Sequence, residues 1–462
     1  MNRRVALAAG CALTLLFLAA TFKPIVEHDG VNYYAYLHSI VVGHDLDFSD
    51  EYRAAEAAHI AVTDVLVGTR LPTGLLANFQ PIGSAVLALP FYLVALAFHP
   101  RGEPQFGPPF ITAFVIASLF YGLMALALSV RLAAAVTGSL PAAMGAALVA
   151  ALATPFVYYL VYEPSYSHTF SAFAAAAFVL VWWRHPRERS VIGWFVLGLL
   201  GGLPALIRFQ DGLLAGIALI DVPRARWRAV AFLPGVALAF SPQLVVDRVV
   251  FGTWLPYRPA AFAFEPWPGH YLQVLFASHH GLFTWTPVVA VAAVGIALLP
   301  DRRLAVAALY AFCAELAING AAPDWWGGFS FGMRRFLDLL PFMVVGLAQV
   351  VLHLRPRVAA LAGALFTAWN FVLMANFTYV IRADRDPGYR GLLAGQLEAL
   401  WYVERLFVQG AVVRDLVFWR PLHLAFKPAE GLSLLALMAA CVLVALWAAW
   451  VWRPRATVHS NS

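Results

Sequence analysis

The 462-residue sequence is poor in charge, lysine and cysteine. Only 12% of its residues are charged, roughly half the share of about 25% found in soluble domains. The three cysteines lie inside apolar runs, without CxxC spacing or a nearby histidine, which excludes a disulfide scaffold and a zinc site. The sequence also lacks a GxxxxGK[ST] loop and a GxGxxG turn after a strand, so no nucleotide-binding motif is present. A coiled coil and a disordered regulator are likewise excluded.

Hydrophobic residues are the abundant class, at 62% with a mean hydropathy of +0.75. Apolar runs of roughly 16 to 25 residues recur between residues 5 and 450, each long enough to cross a hydrocarbon core of about 30 Å. The sequence therefore predicts an all-α polytopic membrane protein. We expect about 12 transmembrane helices and one incomplete segment near the second apolar run.

The net charge of +6 reflects arginines in the short gaps between apolar runs, where they act as topology determinants and not as a nucleic-acid signal. The positive-inside rule places five gaps in the cytoplasm: 183–189, 223–228, 301–303, 353–357 and 452–455. The polar segments expected outside are 22–80, 163–168, 208–211, 251–285, 320–335 and 382–430. The sequence thus predicts a multi-pass protein of the inner (plasma) membrane.

Two points of the topology stay open. The apolar run 5–20 follows two arginines and is interpreted as an uncleaved first helix, although it also resembles a signal peptide. Two full crossings by 80–98 and 109–130 would return Arg131 to the outside. Either one of those runs is partial or re-entrant, or Arg131 is an outside residue.

Charged side chains beside or within spans are costly, so they are candidates for function. Glu27 and Asp29 follow the first run, and the residues after them, including Tyr33 and Tyr34, suit a helix lying in the membrane interface. Asp29 can act as a general base on a hydroxyl nucleophile. The alternative is an N-cap, in which the Asp29 carboxylate accepts backbone N–H bonds.

Two more polar motifs interrupt apolar runs on the expected outer side. Glu163 and His168 could join Asp29 around a divalent cation, or form a structural turn with a hydrogen-bonded histidine. Arg208 stands beside Asp211, where it could hold an anionic headgroup or form a salt bridge.

The segments 278–287 and 324–336 carry histidine, tryptophan, glycine and arginine. The glycines at 327, 328 and 332 permit a positive φ or a close approach. A tryptophan pair can stack on a sugar or sit in the interfacial aromatic belt. Two arginines on the side where positive charge is scarce indicate a bound anion such as a lipid phosphate, and headgroup anchoring is the alternative.

In this order, the motifs resemble the C-type polytopic glycosyltransferases, which use polyprenyl-phosphate-linked sugars. That group includes protein O-mannosyltransferases and bacterial lipid A aminoarabinose transferases, and this sequence resembles its bacterial, glycosyltransferase family 39-like members. Asp29 matches their acidic residue in a long outside loop after the first span, Glu163 matches their second acidic site, and 325–335 matches their Trp/Gly/Arg-rich loop. The resemblance covers residues 1–380. The second site lacks an acidic pair and the second run lacks a lysine, so neither metal dependence nor the aminoarabinose substrate is carried over.

The resemblance implies an inverting membrane glycosyltransferase that acts on the extracytoplasmic face. Its partners would be membrane lipid, a polyprenyl-phosphate sugar donor, and a glycan, lipid or protein acceptor. No cofactor is expected, although a divalent metal stays open. The expected roles are catalytic for Asp29, Glu27 and Glu163; phosphate binding for Arg208, Arg334, Arg335 and His279; and sugar or lipid binding for Tyr33, Tyr34, Trp325, Trp326 and His168.

The resemblance also implies a domain organisation. Residues 1–380 would form the catalytic region, 381–430 an outside loop or small segment, and 431–462 the last helix and cytoplasmic tail. The main alternative is a secondary transporter or flippase. A third interpretation is a non-catalytic subunit for assembly or polymer export.

Overall fold

The computed structural model describes residues 17–18, 21–62, 69–99, 104–184, 189–254, 263–381 and 385–407. Most of the apolar run 5–20 and the whole of 431–462 lie outside the described residues. Within the described ranges the chain is helical, and β-structure is limited to two isolated bridges, His28 with Val62 and Arg70 with Leu76. The predicted all-α class is confirmed for this part of the chain.

The α-helices are α1 Asp29–His38, α2 Ser49–Ala57, α3 Gly83–Phe98, α4 Pro108–Thr137, α5 Leu140–Leu152, α6 His168–Arg184, α7 Val191–Ile207, α8 Val222–Ala225, α9 Phe232–Val246, α10 Tyr271–Phe276, α11 Leu282–Trp285, α12 Val288–Ala297, α13 Arg302–Gly320, α14 Leu340–Leu352, α15 Pro356–Tyr379, α16 Gly388–Ala399 and α17 Val403–Leu406. The 3₁₀ segments are Phe209–Asp221, Arg226–Ala231 and Arg334–Leu339, and the π segments are Ser39–Gly43, Tyr158–Tyr162 and Asp247–Phe251.

Among the described residues, five helical stretches are long and apolar enough to cross a membrane: Pro108–Thr137, Trp227–Phe251, Arg302–Gly320, Arg334–Leu352 and Pro356–Tyr379. Four shorter apolar helices, α3, α5, α7 and α12, accompany them. The chain is therefore a multi-pass membrane protein. The number of about 12 spans stays a prediction, because apolar runs at both ends of the chain lie outside the described residues.

The lengths of α3 and α4 bear on the open question at Arg131. Helix α3 has 16 residues, or about 24 Å, which is shorter than a hydrocarbon core of about 30 Å. Helix α4 has 30 residues, and Arg131 lies about 35 Å along it from Pro108. Arg131 can therefore lie beyond the hydrocarbon at the end of a full span.

The stretch Arg334–Leu352 is the most buried of the five, with 78% of its apolar window inside the protein against 17% for Trp227–Phe251. It packs against α4, α5, α6 and α12. Its contact with α12 is a close glycine approach, since a Cβ on Gly295 would lie 1.8 Å from the carbonyl oxygen of Gly346. Small residues permit such backbone contact between membrane helices. Arg334 and Arg335, which begin this stretch, are therefore attached to the most buried of the five.

Helix α1 differs from the expected interfacial helix. Its residues from Gly30 to Leu37 are all buried, because α1 packs on α3 and on the short helix α2. A helix in the membrane interface keeps one polar face in water, whereas α1 is enclosed by protein. Its first residue, Asp29, is the partly accessible one at the end that faces the site described next.

Candidate active site

Asp29 and Arg334, 305 positions apart in sequence, meet at one end of the helix bundle. The Nη2 atom of Arg334 lies 3.4 Å from Oδ2 of Asp29. The two side chains are 13% and 18% exposed, so the pair is largely enclosed but open to a ligand. The N-cap of α1 is His28 and Asp29 is the first helical residue, so Asp29 is not the N-cap that the alternative interpretation required.

The glycine-rich loop 327–332 contacts the Arg334 side chain. The Nε atom of Arg334 donates to the carbonyl oxygen of Gly327 at 3.1 Å, and its guanidinium lies 4.9 Å from the centre of the Tyr166 ring, within cation–π range. The glycines at 327, 328 and 332 have φ values of 85°, 76° and 65°, as their sequence pattern predicted. The Nη1 atom of Arg334 is buried and has no hydrogen-bond partner among the described residues. Buried donors are normally satisfied, so this atom lacks its usual acceptor.

Glu163 belongs to the same site. The Tyr158 hydroxyl donates to its Oε1 at 2.9 Å, and the Ser330 hydroxyl donates to its Oε2 at 3.2 Å. Burial raises the pKa of Glu163, although these hydroxyls and the neighbouring His28 and Arg334 oppose the shift. A Cβ on Gly30 would lie 2.1 Å from Oγ of Ser165, so the polar turn after Glu163 presses directly on the start of α1.

Tyr33 and Tyr34, adjacent in sequence, have different surroundings. The Tyr33 hydroxyl donates to Oε1 of Gln80 at 2.9 Å and accepts from Ser167 at 3.0 Å. Burial, followed by the charge of Asp29, raises the pKa of Tyr33 to about 12. Tyr34 is fully buried, and its ring packs among those of Tyr92, Phe106 and Phe114. Tyr34 therefore belongs to the core between α1, α3 and α4.

Arg208 and His168 form the deeper side of the site. Nη1 of Arg208 lies 2.7 Å from Nδ1 of His168, and Nε lies 3.4 Å from Oδ1 of Asp211. The Ser171 hydroxyl donates to the other carboxylate oxygen of Asp211. The His168 ring lies 4.5 Å from that of Tyr159. The salt bridge that the sequence offered as one alternative for Arg208 is present.

The remaining predicted residues form a wall beside Arg334. Arg335 pairs with Asp324, and its Nη1 donates to Oδ1 of Asn319 at 3.4 Å. The Trp325 ring stacks on His270 and the Trp326 ring stacks on His279, each with a centroid separation of 5.8 Å. Although burial raises the pKa of Asp324, the Arg335 guanidinium holds it below its ordinary value.

Glu27 lies at the edge of the site. It is partly exposed, and its backbone carbonyl accepts a hydrogen bond from the Gly30 amide at 2.9 Å.

Several residues of the site were not assigned a role from sequence. Tyr159 donates to the carbonyl oxygen of Phe331 at 2.9 Å and shares a hydrogen bond with Ser330. Tyr166 lies in the polar motif 163–168 and Ser330 in the segment 324–336. Their place inside these motifs was the signal in the sequence that could have identified them as site residues. Gln80 carried no signal, because a single glutamine at the start of an apolar run matches no motif.

Candidate metal ligands meet at a different place from the one suggested by sequence. In the part of the chain that the structure describes, one group brings three ligand atoms within 4.8 Å of one another: Asp211, Glu315 and Asp338. Asp29, Glu163 and His168 form no such group among these residues. A cation shared by those three is therefore not supported by the geometry.

No family model and no curated protein matches this chain. Two solved structures do, and both are of ArnT from Cupriavidus metallidurans, a lipid A aminoarabinose transferase of the C-type glycosyltransferase superfamily. The apo structure has a TM-score of 0.53 at 15% identity, and the structure bound to undecaprenyl phosphate has a TM-score of 0.50 at 16% identity. Each alignment covers 96% of this chain and 76% of ArnT. The protein has an ArnT-like fold, which confirms the resemblance to C-type glycosyltransferases at the level of the fold.

Proposed function

We propose that this protein is an integral membrane glycosyltransferase that moves a sugar from a polyprenyl-phosphate donor to an acceptor hydroxyl. The observation that carries the proposal is the buried Nη1 atom of Arg334, which has no partner among the described residues and lies on the guanidinium that contacts Asp29. A phosphate oxygen is the acceptor that such a guanidinium prefers. The ArnT-like fold supports the lipid, since one ArnT structure holds undecaprenyl phosphate.

Arg334 would hold the donor phosphate throughout the reaction. Breaking the bond between the anomeric carbon and the phosphate oxygen leaves negative charge on polyprenyl phosphate. A preorganised cation in an enclosed site stabilises that charge. The loop carbonyl of Gly327 and the Tyr166 ring already fix the guanidinium, so little reorganisation is needed when charge develops.

Asp29 would act as the general base. Its carboxylate is 18% exposed, so an acceptor hydroxyl can approach within hydrogen-bond distance and transfer its proton to Asp29. The acceptor oxygen then attacks the anomeric carbon from the face opposite the phosphate, and polyprenyl phosphate leaves. One displacement of this kind inverts the configuration at the anomeric carbon.

The other predicted residues receive supporting roles in the proposal. Glu163 lies near Arg334 and accepts from Ser330 of the glycine-rich loop, and it would position the acceptor. Arg208 and Arg335 also pair with aspartates, but neither has a buried nitrogen without a partner among the described residues. We therefore assign them to positioning of the site and leave the phosphate to Arg334. Tyr33, His168, His279, Trp325 and Trp326 would line the sugar and lipid path. The reaction would take place on the extracytoplasmic face of the inner membrane, with the lipid-linked donor as the energy source.

The test is transfer from a panel of labelled polyprenyl-phosphate sugars to endogenous membrane acceptors, with purified protein in nanodiscs. Asp29→Asn should lower transfer by about 10²- to 10⁴-fold, the usual contribution of a general base. Asp50→Asn is the matched control, because Asp50 lies on the neighbouring helix α2 in an exposed pair with Arg53. This substitution should leave transfer unchanged.

Equal transfer by wild type and Asp29→Asn would remove Asp29 from the chemistry. Absence of transfer from every donor, together with movement of polyprenyl lipid between leaflets, would replace the proposal with a flippase.

A further inference from the structure

Three carboxylates meet behind the candidate active site. Asp211 comes from the 3₁₀ segment Phe209–Asp221, Glu315 from α13, and Asp338 from the 3₁₀ segment Arg334–Leu339. One oxygen of each lies within 4.8 Å of the others. Asp211 and Glu315 are 0% exposed and Asp338 is 2% exposed, so the bulk solvent does not reach them.

The oxygens of this cluster are incompletely satisfied. No N–H or O–H group of the described residues donates to either carboxylate oxygen of Asp338 or to Oε1 of Glu315, and a proton shared between these two carboxyls would form a hydrogen bond. The other Glu315 oxygen accepts from Nδ2 of Asn319 at 2.9 Å. Buried polar atoms in native proteins are nearly always paired with protein, water or an ion. Asp338 is thus a buried carboxylate that lacks a donor from the described residues and contacts Glu315 within the cluster.

The charge of the cluster is also uncompensated. Arg208 forms an ion pair with Asp211 at 3.4 Å, while Arg335, on the same 3₁₀ segment as Asp338, pairs with Asp324 instead. Three ionised carboxylates and one arginine leave two negative charges in a buried place, where isolated charge is very costly. One divalent cation balances them, and so would two protons.

We propose that Asp211, Glu315 and Asp338 bind a divalent cation. All three ligands supply oxygen, and carboxylate sites without nitrogen or sulfur suit hard cations such as Mg²⁺, Mn²⁺ or Ca²⁺. Water would complete the coordination. This inference does not depend on the proposed glycosyltransferase activity.

The place of the cation in the fold gives it a positioning role. Asp338 stands four residues after Arg334 in the same 3₁₀ segment, and Asp211 stands three residues after Arg208, which contacts His168. Glu315 lies five residues, or about 7.5 Å along the helix axis, before the C-terminal end of α13. A cation that joins these three elements would fix the segments carrying both arginines at the back of the Asp29 site.

The test uses the full chain in nanodiscs after chelation, with Mn²⁺ as the probe and electron paramagnetic resonance as the readout. Wild type should bind one Mn²⁺ per chain, displaced by Mg²⁺ or Ca²⁺, and its Tm should rise by at least about 2 °C at saturation. Glu315→Gln and Asp338→Asn should each weaken binding by at least tenfold and remove the Tm rise. Asp247→Asn is the control, because Asp247 is another buried carboxylate with an unpartnered Oδ2 outside the cluster.

A double variant keeps the test decisive if a single variant fails to fold. Glu315→Gln with Asp338→Asn leaves only Asp211, which Arg208 balances, so this protein should fold and bind no Mn²⁺. Absence of Mn²⁺ from wild type, with a Tm that does not respond to any of the three cations, would overturn the proposal and leave a cluster that shares protons. Equal Mn²⁺ binding by wild type and the double variant would also overturn it.

Discussion

Two clusters at opposite ends of α13 pair arginine with aspartate, but their geometry differs. Near the N-terminal end of α13, Asp221 accepts from Nη1 of Arg189 at 2.8 Å and from Nε of Arg303 at 2.9 Å. The Arg303 guanidinium also lies 3.7 Å from the Trp182 ring. Near the C-terminal end of α13, Asp29 and Arg334 make one contact at 3.4 Å, and Nη1 of Arg334 has no partner among the described residues.

The difference separates a structural ion pair from a candidate binding site. Asp221 has two guanidinium partners, and Arg303 also donates to the carbonyl oxygens of Trp182 and Trp183. The Asp221 carboxylate is thus saturated by short ion pairs that hold helices together, although Nε of Arg189 is also buried without a partner among the described residues. Arg334 is also held by its loop, but its ion pair with Asp29 is longer and partly exposed, as expected for a preorganised site that admits an anion.

The largest expected effect on stability is at the saturated cluster. Asp221→Asn leaves Arg189 and Arg303 buried without a full counter-charge, so we expect a loss of about 3–5 kcal/mol in unfolding free energy. Asp29→Asn should cost less than about 1 kcal/mol, because its ion pair is long and partly exposed. Denaturant titration in detergent measures both. Similar losses for the two variants would abolish the distinction between the clusters.

A second prediction concerns pH. His280 is buried, its Nδ1 lies 2.8 Å from the Trp326 carbonyl oxygen, and burial with the neighbouring His279 lowers its pKa to about 3. Between about pH 6.5 and 3 the unfolded chain binds a proton that the folded chain does not. Stability is therefore complete above about pH 6.5 and falls as the pH drops, by about 2 kcal/mol at pH 5.

His280→Asn should reduce this dependence, since asparagine tolerates the φ of 60° at this position. His44→Asn is the control, because His44 has a φ of 59° and is exposed. Thermal unfolding at pH 7 and pH 5 compares the three proteins. An unchanged pH dependence in His280→Asn would show that this histidine is not the group that titrates.

The smallest predicted effect on stability is at Glu163. Because burial raises its pKa, the folded state favours the protonated form and loses stability as the pH rises through the pKa. Glu163→Gln removes the charge, keeps one acceptor oxygen for one of the two hydroxyls and offers an amide N–H to the other hydroxyl, which can accept it. Its unfolding free energy at pH 7 should therefore equal wild type or exceed it by up to about 1 kcal/mol. Transfer activity should fall nevertheless. A destabilised variant with normal transfer would make Glu163 a structural residue.

The sequence predicted much of the Asp29 site because charge is rare in this chain. Asp29, Glu163 and Arg334 stand out at the edges of apolar runs, where charged side chains are costly, and the structure brings them together. The glycines around Arg334 were also predictable, since positive φ values favour glycine. The sequence could not show that Tyr33 faces the site and Tyr34 faces the core. Which side of a buried helix faces the site depends on tertiary packing.

The cluster of Asp211, Glu315 and Asp338 could not be predicted from the sequence. Glu315 and Asp338 are charges within apolar stretches, as Asp29 is beside one, but no local spacing relates them to Asp211. Their meeting depends on how α13 and the 3₁₀ segment Arg334–Leu339 pack. The burial of α1 is a similar case, since its aromatic residues suit both a membrane interface and a protein core.

The most direct test of the account is binding of undecaprenyl phosphate to the Arg334 site, measured by native mass spectrometry of wild type, Arg334→Gln and the exposed control Arg53→Gln. Loss of a charged hydrogen bond costs about 1.5–3 kcal/mol. Arg334→Gln should therefore bind the lipid phosphate roughly 10- to 100-fold more weakly, while Arg53→Gln binds it as wild type does. Equal binding by all three proteins would contradict the claim that Arg334 is preorganised for the donor phosphate.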